Sequence, residues 1–272
     1  MIGAIQNLLV LPVAVPLLAA AFLTLLPTEA WVARRMLALG AAISVLVYAA
    51  LLLAQAHGGE IAVLRLGNWP SHLGIVLVND RLSALMLVLT ATLGVLGLLH
   101  GMAGDERRGR HFHALWMLQL AGLNGAFLTG DLFNLFVCFE LLLAASYGLL
   151  LHGEGQLRIR RALHYVVLNL AGSALFLVAA AVLYGNLGTL NLAELARRSA
   201  NLSADQRTLV DAGSSILLVV FLLKAAVLPL SFWLPRTYGA LTAVAALLFA
   251  ALTKLGIYAV IRIQPLLIGD GH

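Results

Sequence analysis

Residues 214–235 read SSILLVVFLLKAAVLPLSFWLP, an apolar run with Lys224 near its centre and Pro229 five residues further on. A hydrocarbon core about 30 Å thick takes roughly 20 residues of helix, so this run is long enough to span it and Lys224 falls close to the middle. Two further runs repeat the pattern: DLFNLFVCFELLLAASYGLLL at 131–151 holds Glu140, and AALLFAALTKLGIYAVIR at 245–262 holds Lys254. Glu140 lies eight residues after Leu132 and Lys254 eight before Arg262. At 1.5 Å per residue each is about 12 Å into its helix, a depth at which inserting a charge costs at least about 2.5–3.5 kcal/mol.

The rest of the 272-residue chain agrees. Apolar residues make up 62% and charged ones 11%, against roughly 45–50% and 25% in a soluble domain, and the mean hydropathy is +0.98. The expected fold is an all-α polytopic membrane protein with eight spanning helices: Ala4–Leu26, Met36–Ala54, Leu82–Met102, Phe112–Thr129, Leu132–Leu151, Ala162–Tyr184, Gly213–Leu234 and Tyr238–Ile263. The 17 basic residues against 12 acidic ones belong to membrane loops, which sets nucleic-acid binding aside. Fifteen of the 17 are arginine, and the two lysines are the two inside apolar runs. Glu29, Asp105, Glu106, Glu154, Glu194, Asp205, Asp211 and Asp270 read as loop or tail charges, so Glu140, Lys224 and Lys254 stand apart.

With the N-terminus outside, the inner loops carry Arg34, Arg35, Arg107, Arg108, Arg110, Arg158, Arg160, Arg161 and Arg236, nine arginines against six on the outer side. The positive-inside rule favours that orientation. The first span has no basic segment before it and no small-residue cleavage site, so it is expected to stay as a helix. Residues 57–80 alternate around Gly67, Trp69 and Pro70, as in a hairpin-like outer cap, and 189–200 read as an amphipathic surface helix. Asp80 and Arg81 are expected to pair at the rim. Cys138 has no intrachain partner, the eight histidines show no metal-ligand spacing, and no cofactor-binding motif is present.

Intramembrane acids and lysines default to ion or proton pathways, although a carboxylate can also only staple two helices and a lysine can snorkel to the interface. Pro229 removes a backbone donor and predicts a kink or break, and broken helices beside buried charges line wet cavities in transporters. A Glu/Lys/Lys set can pass protons if wetting or a neighbouring charge modulates its pairing. Weaker relay candidates are His164, Asn169 and Ser173, with His164 expected two residues into its helix. His111 and His113 are expected at the interface.

The stretches GNWPSHLGIVLVNDRLSALM, GDLFNLFVCFELLLAASYGLLLHG and FLLKAAVLPLSFWLPRTYGALTAVAALLFAALTKLGIYAVIR resemble the D-type membrane subunit of the Mrp (Pha, Mnh) multisubunit Na⁺(K⁺)/H⁺ antiporters. That family is related to the antiporter-like membrane subunits of NADH:quinone oxidoreductase. The resemblance implies that Glu140, Lys224 and Lys254 are the family's helix-five glutamate, broken-helix-seven lysine and helix-eight lysine. It also implies residues 1–110 as N-terminal helices, 111–272 as a first proton-conducting repeat, and a second, inverted repeat beyond them, so this chain is expected to be a truncated or N-terminal part. Where the family carries an Ala-Pro-x-Pro-Val type run, this chain has Gly239–Val244, and different packing is expected at the start of the last helix.

The expected function is a cation/proton antiporter subunit in a bacterial inner membrane, working beside other subunits on protons and Na⁺ or K⁺. The alternatives are a proton-pumping subunit of a quinone- or hydrogenase-linked oxidoreductase and an inactive scaffold.

Overall fold

The structure, a computed structural model, describes residues 8–70, 74–152, 156–200, 202–239 and 241–267, without the side chains at 156–158, 160 and 161. The expected start of the first span, the side chains of Arg158, Arg160 and Arg161, Glu154, Ala240 and the tail with Asp270 lie outside the described residues.

Among the described residues, ten α-helices and one hairpin follow in chain order: α1 (Leu11–Leu25), α2 (Trp31–His57), β1 (Ala62–Arg65), β2 (Val76–Asn79), α3 (Arg81–Gly101), α4 (Phe112–Leu128), α5 (Leu132–Leu151), α6 (Gln156–Leu187), α7 (Leu192–Ser199), α8 (Ala204–Lys224), α9 (Leu234–Tyr238) and α10 (Ala243–Leu267). Among the described residues α2, α3, α5, α6, α8 and α10 are long and apolar enough to cross a bilayer. The two others expected to span, α1 and α4, have 15 and 17 residues. Leu18, Phe22, Leu25, Val32 and Met36 are all more than half exposed, as lipid-facing side chains would be.

Helix α4 is the hub. Nearly every side chain on it is buried, and it packs between α1, α3, α5 and α10. Close approach there needs small residues: a Cβ on Gly122 would lie 2.8 Å from the Leu142 backbone nitrogen. The hub also repairs a defect in α1. Pro16 has no N–H to offer the Pro12 carbonyl one turn back, and Asn124 Nδ2 donates to that carbonyl at 2.8 Å instead. Asn124→Leu strands the carbonyl in an apolar interior and is expected to cost about 1–3 kcal/mol; a melting curve of the purified protein in detergent measures it.

The expected cap is present and larger than a hairpin. β1 and β2 pair antiparallel, with Ala62 opposite Asn79. Backbone bonds then tie Gly130 to Val76, Leu192 to Gly130 and Leu132 to the Leu190 carbonyl, so that the hairpin, the α4–α5 turn and the start of α7 close one end of the bundle. Helix α7 buries Leu192 and Leu195, and Asn191 caps it. The opposite end carries the arginine loops.

Several boundaries differ from the sequence reading. The span expected at 213–234 begins at Ala204, where Ser203 and Gln206 form a reciprocal cap, and ends at Lys224. Its break, expected near Pro229, opens directly after the lysine. Ala226 N–H bonds the Leu223 carbonyl and Val227 N–H the Leu222 carbonyl, the paired bonds of a Schellman stop. Ala226 takes the left-handed residue of that stop, with φ 54°, where glycine is usual. The last span starts at Ala243 rather than Tyr238, after Thr242 Oγ1 accepts from the Ala245 N–H at 3.2 Å. Tyr238 instead ends the separate helix α9.

Candidate functional site

Four helices set the three intramembrane charges at one level. The Ser173 hydroxyl of α6 donates to Glu140 Oε1 of α5. Gly172, one residue back, faces Leu223 of α8, next to Lys224. Gly256 of α10, two residues past Lys254, faces the backbone of Phe221 and Ala225. The level is shared, but the exposures differ. Lys224 is 2% exposed, Glu140 is half-buried and Lys254 is exposed on the outer face of the bundle, its ammonium 3.5 Å from Thr253 Oγ1.

Lys224 holds the most demanding position. Among the described residues its Nζ has no hydrogen-bond acceptor. It sits 4.8 Å above the Phe139 ring, a cation–π contact, and within electrostatic range of Glu140, with no direct ion pair between them. Fold and charge depend on each other here, because the residue that ends α8 is the lysine itself. The Leu223 carbonyl next to it, which accepts the Ala226 N–H, also accepts from Trp233 Nε1 at 2.9 Å, which pins the link after the break. Such a lysine, buried and without an acceptor among the described residues beside a carboxylate that is already hydrogen-bonded, can gain or lose a proton when water or a neighbouring charge arrives.

The weaker candidates separate. Ser173 touches Glu140. Asn169 donates to the Tyr165 carbonyl one turn back on its own helix, at 2.9 Å. His164 lies eight residues into α6, not two, because the helix starts at Gln156; its ring is 6.2 Å from that of Phe232. His111 is exposed, as expected, but His113 is 1% exposed.

Two charge clusters were not legible in the sequence. Glu106, read as a loop charge, is 1% exposed and pairs with Arg35, and its second oxygen lies 3.2 Å from His113 Nε2 without a hydrogen bond between them; Arg34, 2% exposed, donates to the Arg110 carbonyl at 2.8 Å. Three buried charges therefore do not stand apart: Arg34 and Glu106 are buried too, and Lys254 is not. Asp80 and Arg81, expected to pair, do not. Adjacent residues at a helix start point in different directions. Asp80 caps α3 by accepting from Ser83 N–H at 2.9 Å and takes the Arg262 guanidinium of α10, while Arg81 donates to the Ala56 and His57 carbonyls of α2.

Desolvation pushes the Asp80 carboxyl up, but Arg262 and Ser83 together outweigh it and hold it below the ordinary 3.8. A depressed carboxylate stabilises the fold above its unfolded pKa and loses that contribution as pH falls through its folded value. Asp80→Asn is therefore expected to lower the melting temperature near neutrality and to converge with the parent protein below about pH 3; parallel melts from about pH 2.5 to 7 check it.

Comparison with known proteins identifies the family. The family described as NADH:quinone oxidoreductase/Mrp antiporter, TM, matches residues 129–271. The chain is 50% identical over 270 residues to a probable K⁺/H⁺ antiporter D-type subunit of Rhizobium meliloti (strain 1021), covering 97% of this chain and 50% of that protein. It is 41% identical over 260 residues to a Na⁺/H⁺ antiporter D-type subunit of Alkalihalophilus pseudofirmus (strain ATCC BAA-2126 / JCM 17055 / OF4), covering 94% and 52%. Among solved structures, a chain of the Mrp complex from Dietzia sp. DQ12-45-1b superposes with a TM-score of 0.89 at 32% identity, over 96% of this chain and 49% of that one. The chain thus spans about half the length of the relatives it matches. With its family match running from the α4–α5 turn through the broken helix to the end of α10, this multi-pass membrane chain belongs to the NADH:quinone oxidoreductase/Mrp antiporter transmembrane family.

Proposed function

We propose that this chain is part of a membrane subunit of a monovalent cation/proton antiporter, and that Glu140, Lys224 and Lys254 carry its protons. The observation that carries the reading is Lys224: a lysine 2% exposed, without a hydrogen-bond acceptor, at the end of a broken helix and in range of Glu140. A buried ammonium left in that state is costly to a fold and useful to a proton pathway. The two relatives of known sequence described above are both antiporter subunits by name, which supports the antiporter class over an oxidoreductase pump.

Glu140, hydrogen-bonded to Ser173, tunes Lys224 by its charge. When Glu140 is ionised the ammonium is favoured; when it is protonated, the lysine releases its proton. Lys254, at the same level but outward, receives the proton and presents it to whatever packs on that face. The coupled cation is Na⁺ or K⁺, and the partners are other subunits of a hetero-oligomeric complex in the bilayer of a bacterial inner membrane. The capped hairpin end faces outward and the arginine end inward. In the complete complex reconstituted into vesicles, Glu140→Ala is expected to abolish cation-driven proton exchange while assembly persists; unchanged exchange would sink the assignment.

A further inference from the structure

Glu140 and the two lysines leave unexplained a set of buried and half-buried hydroxyls on the arginine-end side of the charge level. Tyr147 lies two turns past Glu140 on α5, and seven residues return a helix to nearly the same face about 10 Å along. Its hydroxyl oxygen is buried and, among the described residues, has no hydrogen-bond partner, although Glu140 lies within electrostatic range. Tyr165 on α6 is fully buried; its ring meets that of Tyr147 edge-on at 5.6 Å, and its hydroxyl shares a 3.0 Å hydrogen bond with Ser146. The same hydroxyl lies in range of those of Tyr147 and Tyr238. Tyr238 ends α9, and its hydroxyl meets that of Thr253, which is 3.5 Å from the Lys254 ammonium. Phenylalanine would fill these positions without burying oxygen, and an interior hydroxyl costs free energy unless it is paired. Here the oxygens lie in sequence between two intramembrane charges.

We infer that Tyr147, Tyr165 and Tyr238, with Ser146 and Thr253, form a hydroxyl relay that joins the Glu140–Lys224 pair to Lys254. It rests on the reading of Glu140 and Lys254 as proton carriers. A proton leaving the Glu140 carboxyl is taken up on the Tyr147 oxygen as that hydroxyl passes its own proton on. The exchange repeats at Tyr165, Tyr238 and Thr253, and a proton arrives on the Lys254 amine. Glu140 ends as carboxylate, Lys254 as ammonium, and every hydroxyl is restored. Spans wider than one hydrogen bond are crossed by bridging water. The break after Lys224 makes the arrangement possible, because it lets residues 230–238 turn back beneath α6, where the Trp233 ring packs against Tyr165 at a tilt, 5.4 Å away, and Tyr238 reaches Thr253.

The test is the triple variant Tyr147→Phe, Tyr165→Phe, Tyr238→Phe in the complete complex, measured in vesicles beside Glu140→Gln. Each ring is kept, so assembly and melting temperature should hold. The exchange rate is expected to fall at least about tenfold. Exchange within about twofold of the parent overturns the relay. If Glu140→Gln abolishes exchange and the triple variant does not, the relay fails while the role of Glu140 stands; if Glu140→Gln leaves exchange intact, both fail. Should the triple variant not assemble, the three single variants decide: losses at two or more support the relay, and losses at one or none overturn it.

Discussion

Lys224→Met should raise the melting temperature of the protein and abolish exchange in the complete complex. The two effects have one cause. The ammonium is 2% exposed, meets no acceptor among the described residues and is held only by the Phe139 ring and the field of Glu140. Replacing a poorly compensated buried charge by an apolar side chain of similar length is commonly neutral or stabilising, by about 1–4 kcal/mol where it has been measured. Losing a positioned proton carrier costs about 100-fold or more in rate. Thermal melts and vesicle exchange assays on the same preparation read both effects. A variant that is less stable and still active would show that Lys224 is a structural element and not a carrier. Glu140→Ala should do the opposite to stability, since it removes the nearby negative charge and leaves the lysine in place. Opposite signs from two partners in one site would distinguish a functional charge pair from a helix staple, in which both substitutions destabilise.

Gly256→Val is expected to cost the protein its assembly or most of its activity, and Gly256→Ala to do so more mildly. The Cβ added at this position would lie 2.6 Å from the Ala225 nitrogen, 2.7 Å from the Phe221 oxygen and 2.8 Å from the Ala225 Cβ. Two of these atoms are backbone, at the turn where α8 stops, so no rotamer change relieves the overlap. Either α10 moves away from the break or the Schellman stop opens. Overpacking in a core that can yield costs about 1–3 kcal/mol; here the yielding element is the one that places Lys224, so exchange should fall at least about tenfold even where the protein still folds. Gly185→Ala is the control, because nothing lies within 4 Å of the Cβ it adds. Equal behaviour of Gly185→Ala and Gly256→Ala in melting and exchange would show that the close approach of α10 to the break is not what positions the lysine.

Membrane class, the long apolar helices and the three intramembrane charges follow from the sequence by physics that is local to each segment. Bilayer thickness fixes helix length, and a charge inside an apolar run declares its depth with no knowledge of any neighbour. That this span breaks follows from Pro229, although the stop itself forms five residues earlier, after Lys224, and the hairpin follows from alternation around Gly67. What stayed undetermined depends on contacts between distant residues. Depth is not direction: Lys224 and Lys254 read alike along the chain, yet helix rotation buries the first beneath α5 and α6 and turns the second outward. Glu106 reads as a loop charge because it lies between two apolar runs beside Asp105, Arg107 and Arg108, and only the fold brings Arg35 and His113 to it. Asp80 found Arg262 instead of its neighbour Arg81 because α10 ends beside the cap of α3. Asn124 gains its purpose from a proline 108 residues earlier. Apolar periodicity and insertion energies act along one helix, whereas pairing, exposure and hydrogen-bond completion are set by which helices pack together, and packing is decided by the whole bundle at once.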